Sequence, residues 1–273
     1  MISFPNAKIN LGLHITEKRP DGFHNLETVF FPVGWSDVLE FAEADEFRFT
    51  SSGIRISCDP ESNLVMKAYR LLQKDFRLPT LKIHLHKQIP FGAGLGGGSS
   101  DGAFMLRMLN KTYDLNISEE KLLDYAAQLG SDCPFFILNK PVFATGRGEI
   151  MQETDIRLNG MFIWLIKPPV EVSTANAFQF IEPKKTDFSL TEVLSRPVQE
   201  WKNSVVNQFE SCVVQQFPVI AEIKHQLYDL GAVYASMSGS GSCVFGLFNE
   251  LPLNWKSHFP IVYLTYSQKL QIL

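Results

Sequence analysis

Residues 91–103 read FGAGLGGGSSDGA, which places Gly92, Gly94, Gly96, Gly97 and Gly98 within seven positions and runs directly into the helical pattern GAFMLRMLNKTY. Each glycine costs about 0.5–1 kcal/mol against alanine in a regular element, so something has to approach this backbone closely. A strand, a glycine-rich turn and a helix start together form a recurring anion site. Main-chain N–H groups point outward, the helix dipole adds partial positive charge, and the missing side chains let phosphate oxygens in. The strand is TLKIHLHKQIP, with Leu81, Ile83 and Leu85 on one face. Ser99 and Ser100 stand at the helix entrance, where a hydroxyl caps the helix or donates to a phosphate or its metal.

The familiar phosphate loops do not fit. Gly92-Ala93-Gly94-Leu95-Gly96-Gly97 formally matches GxGxxG, but the dinucleotide fingerprint needs an apolar second strand ending in an acidic residue about 20 residues on. The chain offers Asp114 there and no strand leading to it. No Gly-Lys-Ser/Thr follows, which excludes a Walker A loop, and neither a VAIK strand nor an HRD motif is present.

At 273 residues, 45% apolar and 20% charged, the chain has the profile of a soluble globular protein of two domains. A net charge of −4 gives no reason to expect a nucleic-acid partner. No apolar run approaches the roughly 20 residues of a membrane span, and MISFPNAKIN lacks the regions of a signal peptide. Cys58, Cys133, Cys212 and Cys243 form no CxxC pair and read as free thiols. The expectation is a cytoplasmic protein with a small-molecule partner and no membrane, a monomer or homodimer.

FPNAKINLGLHIT, NLETVFFPV and DVLEFAEADEFRFT read as strands, the first two parted by the breaker Pro20-Asp21-Gly22. NLVMKAYRLLQKDF and SEEKLLDYAAQLG read as helices, the second with Ser118 as cap and Gly130 as stop. SDCPFFI starts a helix and PVFATGRGEI is a strand. The polar stretch QETDIRLNG (152–160) marks a boundary, giving domains 1–153 and 154–273. MFIWLIKPP, VIAEIKHQLYDLG, AVYASMSGSGSCVFGLF and IVYLTY continue as strand, helix, strands and strand. Both halves mix helix and strand, so the class is α+β.

Single residues have a plain reading beside a functional one. Asp132, just before Cys133-Pro134, suits a helix N-cap. Lys8 lies in an otherwise apolar strand, where an inward ammonium is expensive unless paired, and Asp132 is a partner for it. His24 follows a turn and reads as a loop histidine. His84 and His86 share a strand face without a third metal ligand nearby.

Three segments carry a resemblance to a known family. PFGAGLGGGSSDGA (90–103) resembles the phosphate loop of the GHMP small-molecule kinases. PNAKINLGLHI (5–15) and SMSGSGSCVFGLF (236–248) resemble that family's first and third motifs, in the same order and spanning most of the chain. The resemblance implies a two-domain fold, with a ribosomal-protein-S5-like N-terminal domain and a ferredoxin-like C-terminal domain. It implies ATP and Mg²⁺, with Pro90, Phe91, Gly92, Ala93, Gly94, Leu95, Gly96, Gly97, Gly98, Ser99 and Ser100 around the phosphates. Ser99 or Ser100 would be nearest the metal, and the SGSGS turn (238–242) would close the substrate side.

AKINLGLHITEKRPDGFHNLETVF is similar to the branch of the family that phosphorylates the 2-hydroxyl of a cytidine-diphosphate-linked methylerythritol in non-mevalonate isoprenoid synthesis. Carried over, Lys8 and Asp132 are catalytic, the latter from GSDCPFF (130–136), and Asn10, Phe23 and His24 bind substrate. Phe23 replaces a usual tyrosine, keeping the stacking face and losing a hydroxyl. VSTANAF (172–178) resembles a further stretch of that branch. Asn63, Lys87 and Asp101 would face the nucleoside end of ATP, although asparagine is common in the family at the last position.

Overall fold

The computed structural model describes residues 1–55, 60–179, 181–184 and 188–271; Cys58 lies outside them. In chain order the elements are β1 (Ile2–Ser3), β2 (Asn6–Lys18), β3 (His24–Ser36), β4 (Val38–Glu43), β5 (Arg48–Gly53), α1 (Leu64–Gln73), β6 (Leu81–Lys87), α2 (Gly97–Thr112), α3 (Glu119–Leu129), α4 (Cys133–Leu138), β7 (Val142–Thr145) and β8 (Ile150–Glu153). They continue with β9 (Phe162–Lys167), α5 (Thr174–Gln179), α6 (Leu190–Leu194), α7 (Phe209–Gln216), α8 (Val219–Asp229), β10 (Tyr234–Met237), β11 (Val244–Phe248) and β12 (Leu264–Lys269). The α+β expectation holds.

Two compact units interleave along the chain. One comprises Met1–Ala7, Gly34–Pro90 and Gly96–Asn139; the other comprises Lys8–Val33, Phe91–Leu95 and Lys140–Leu273. This division by contact differs from the cut at 153/154 read from the sequence. It crosses the chain between Leu95 and Gly96, inside the glycine run itself.

The first unit holds a sheet in the order β1-β4-β6-β5 with α1 to α4. β5 and β6 run parallel, Arg48 opposite Lys82, as they can because α1 supplies the crossover that a parallel pair requires. The period of two in β6 buries Leu81, Ile83, Leu85 and, at the strand's end, Lys87. That is the local reason a lysine enters this interior. Asn63 caps α1, its side chain accepting from the Val65 N–H at 2.9 Å. Ser118 caps α3 by accepting from Lys121 N–H. DVLEFAEADEFRFT divides into β4 and β5.

The second unit carries two sheets, β2-β3-β7-β8 and β10-β11-β9-β12. Its core joins Leu13 and Ile15 of β2 to Trp164 and Ile166 of β9, Phe209 and Val213 of α7, and Ile220, Ile223 and Leu227 of α8. PVFATGRGEI forms not one strand but the hairpin β7–β8, turning at Gly146 (φ +68°) and Gly148 (φ +106°). The last strand falls at 264–269, three residues later than the apolar run IVYLTY suggests. Ile261 and Val262 are exposed, because pairing with β9 sets the register from Leu264 onward.

Candidate active site

The segment 91–95 belongs to the second unit, and that unit ties down its carbonyls one after another. The Gly92 oxygen accepts from Ser242 N–H at 3.1 Å, Ala93 from Cys243 N–H at 3.1 Å, and Leu95 from Lys8 N–H at 3.0 Å. The Gly94 oxygen accepts from the Ser238 hydroxyl at 2.8 Å. None of the four corresponding N–H groups donates to another described residue. A peptide whose oxygen is fixed on one side presents its N–H on the other, so the segment is a row of unspent donors. Gly92 (φ +57°) and Gly94 (φ +73°) adopt the left-handed conformation this requires. A Cβ on Gly94 would lie 1.9 Å from the Ser238 carbonyl oxygen.

The third motif is therefore the brace of this segment. Ser242 also donates its hydroxyl to Val170 O at 2.5 Å, and Val170 O accepts from Lys167 Nζ at 2.7 Å. Lys167 is buried without a carboxylate in its bonds; burial pulls its ammonium below the ordinary lysine value.

In the first unit, α2 begins at Gly97, one turn ahead of Asp101. Its N-cap, Gly96, has φ +70° and makes no side-chain cap bond, so the first-turn amides keep the unsatisfied donors of a helix N-terminus. Within that turn Ser100 Oγ is fully buried and has no hydrogen-bond partner among the described residues. Ser99 is half-buried beside Cys133, whose thiol is pushed up to about 12 by burial. Pro90 is buried and Phe91 exposed.

Lys87 is paired with Asp37 and, at 2.6 Å, with Asp101, all three buried. Burial pulls the Lys87 ammonium down, but Asp101 and Asp37 outweigh it and leave the group raised. Burial also drives the Asp101 carboxyl upward, against the pull of Lys87. Asp37 escaped the sequence reading. Its other oxygen accepts from Gln88 N–H at 2.5 Å and Ile89 N–H at 2.8 Å, fixing the strand end that leads into the loop. An acidic residue between the apolar runs of β3 and β4 was the available signal.

The first motif lines one strand of the second unit. Lys8 Nζ donates to Asn10 Oδ1 at 2.7 Å and lies 5.0 Å from the Phe30 ring centroid. Asn10 donates to the Thr28 hydroxyl at 2.9 Å, and Thr28 donates to Gly12 O at 2.5 Å. Both Lys8 and Asn10 are buried, so these bonds orient them. Phe23 is exposed, with the Arg147 guanidinium 5.0 Å from its ring centroid. His24 stacks on Phe178 at 5.0 Å and 20°. Burial, then the nearby Lys18 charge, lowers the His24 pKa and favours the neutral ring. Phe178, at the end of VSTANAF, has no role in the sequence reading, and the structure stacks it face to face on His24.

Asp132 occupies the N-cap position of α4 but makes no capping bond with its side chain. The plain reading of a capping aspartate thus fails, because its backbone is already helical (φ −85°, ψ −13°). His84 bonds Thr50 and Ser52, and His86 bonds Ser52. Among the described residues no group of three His, Cys, Asp or Glu side chains could hold a metal, and no helix is long and apolar enough to cross a membrane.

Residues 63–140 match the description of the GHMP kinases N terminal domain, and residues 193–254 that of the GHMP kinases C terminal domain. The chain belongs to the GHMP kinase family. Its curated relatives include the 4-diphosphocytidyl-2-C-methyl-D-erythritol kinases of Bacteroides fragilis and Bacteroides thetaiotaomicron. The first is 57% identical, covering 91% of this chain and 92% of that protein. The second is 58% identical over the same shares. A crystal structure of 4-(cytidine 5'-diphospho)-2C-methyl-D-erythritol kinase superposes with a TM-score of 0.78 at 30% identity, covering 90% of each chain. The segment 90–103 falls within the N-terminal domain match and 236–248 within the C-terminal one.

Proposed function

We propose that this chain transfers the γ-phosphoryl group of ATP to the 2-hydroxyl of 4-diphosphocytidyl-2-C-methyl-D-erythritol, in the cytoplasm, as a step of non-mevalonate isoprenoid synthesis. The observation that carries the phosphoryl-transfer reading is the row of four tied carbonyls at 92–95, followed by an uncapped helix start. That arrangement offers main-chain donors to a polyanion and nothing else. The choice of acceptor rests on relatives more than half identical over nine-tenths of the chain. Free thiols at Cys133, Cys212 and Cys243 suit a reducing compartment.

Phosphoryl transfer is mainly positioning and electrostatics. The amides from Gly92 to Ser100 would bind the phosphates. Lys8, held by Asn10, would stabilise charge on the attacking oxygen and the transferring group, and Asp132 would accept or orient the hydroxyl proton. Phe23, His24 and Phe178 would hold the cytosine, His24 by its neutral ring. Asn63 would line the nucleoside end of ATP. Lys87, paired with both Asp101 and Asp37, and Asp101 would set the first turn of α2 and face the nucleoside end of ATP. Mg²⁺, which fits the orphaned Ser100 hydroxyl and its neighbour Ser99, would neutralise charge on the phosphate oxygens.

The purified protein with ATP, Mg²⁺ and the cytidyl acceptor should release ADP and form the 2-phosphate. Asp132→Ala should lower kcat by about 10²–10⁴-fold, the range for a positioned base, with binding of an ATP analogue retained. Normal turnover by that variant would refute the assignment of Asp132.

A further inference from the structure

Asn207 stands in the stretch VNQFE (206–210), just ahead of α7, and is 3% exposed. Its backbone is gripped from both sides by β2. Leu13 N–H donates to Val206 O and Gln208 N–H to Leu13 O, each at 2.9 Å. Its side chain then uses both of its donors and its acceptor oxygen. Nδ2 donates to Met237 O and to Gly239 O, both at 2.8 Å, and Oδ1 accepts from Phe209 N–H at 3.0 Å. Met237 and Gly239 flank Ser238, whose hydroxyl holds Gly94 O and whose carbonyl abuts Gly94.

Only a carboxamide supplies two diverging N–H donors and an acceptor from one planar group. An aspartate would face two carbonyl oxygens with an anion, and alanine would leave both carbonyls buried and unpaired. We propose that Asn207 is a positioning residue for nucleotide binding: it fixes the SGSGS turn, and through Ser238 it holds the Gly94 carbonyl back so that the loop amides face the phosphates. The inference rests on the reading of 92–100 as the triphosphate site.

The test measures steady-state kinetics and calorimetric binding of a non-hydrolysable ATP analogue for the full-length protein and its Asn207→Asp variant. The variant keeps the acceptor for Phe209 and loses both donors. It should raise KM for ATP and the analogue Kd by at least about tenfold, the cost of one or two buried hydrogen bonds, with KM for the cytidyl acceptor raised by a smaller factor. Tyr234→Phe is the control for stability alone, since it removes a buried bond from the same strand, Tyr234 Oη to Val205 O at 2.8 Å. It should leave the ratio of the two KM values unchanged.

Ser238→Ala should mimic Asn207→Asp, and the double variant should be no weaker for ATP than the worse single one, because residues acting in series do not add. If Asn207→Asp does not fold, Asn207→Ser, which accepts from Phe209 and donates to one carbonyl only, must show the same split. Equal losses for ATP and acceptor, or multiplicative losses in the double variant, overturn the inference. Unaltered analogue binding by Asn207→Asp overturns it alone. A wild-type protein that fails to bind the analogue overturns both it and the proposed function.

Discussion

Two short turns of the second unit look alike on paper: Gly92-Ala93-Gly94-Leu95 and Ser238-Gly239-Ser240-Gly241-Ser242. Each alternates glycines at positive φ, +57° and +73° in the first, +55° and +90° in the second. They differ in which side of the peptide is spent. The second turn is buried throughout, and its Ser242 N–H, the Cys243 N–H that follows it and the Ser238 and Ser242 hydroxyls end on carbonyls. The first turn accepts those bonds on its oxygens and keeps its N–H groups. Glycine density therefore does not separate a binding loop from the brace behind it. The direction of the bonds between them does, and the proposed function puts the phosphates at the turn whose oxygens accept.

The comparison breaks most violently at the point of contact. Gly94→Ala puts a methyl 1.9 Å from Ser238 O and forces an L-residue to φ +73°, a strain of about 1–2 kcal/mol before any clash. One turn has to move. Since a misplacement of about 1 Å costs roughly 10²-fold, kcat/KM for ATP should fall by about that factor or more. A variant with normal kcat/KM would show that the two turns need not touch. Gly239→Ala approaches from the other side, its Cβ 3.1 Å from Gly94 Cα at φ +55°, and should have the same sign with a smaller loss.

Removing a donor from the brace is gentler. Ser242→Ala loses the bond to Val170 O but keeps the main-chain bond to Gly92 O. Unfolding in urea should show a loss of about 1 kcal/mol, and ATP affinity should change by less than about threefold. A larger loss of affinity would mean that the hydroxyl, not the backbone, holds the loop.

What the sequence made legible was local. The glycine run, the Ser118 cap and the apolar face of β6 follow from backbone preference and periodicity, and each appears where it was read. Lys8 was legible as an anomaly, a charge in an apolar strand, and it is held there in part by a buried bond to Asn10. The roles of Asp37 and Asn207 were not legible, because each joins residues 30 to 52 positions away and no spacing rule links them. The pairing of Lys87 with Asp37, 50 residues away, was hidden for the same reason. The interleaved units have that origin too, since strand order is set by pairing and not by chain order.

The finest test of the comparison separates folding from binding. Gly98 lies in the first turn of α2, and a Cβ built there meets no protein atom within 4 Å. Its φ is not in the left-handed region. By folding alone, alanine should be preferred, by about 0.5–1 kcal/mol of backbone entropy. If the space is there for a phosphate, Gly98→Ala should be slightly more stable in urea unfolding and yet bind the ATP analogue roughly tenfold more weakly, the cost of about 1.4 kcal/mol of lost contact. Stability and affinity would then move in opposite directions, which no defect of folding can produce. Unchanged affinity in the stabilised variant would place the phosphates farther back, against the tied segment at 92–95, and would make that turn rather than the helix start the principal anion site.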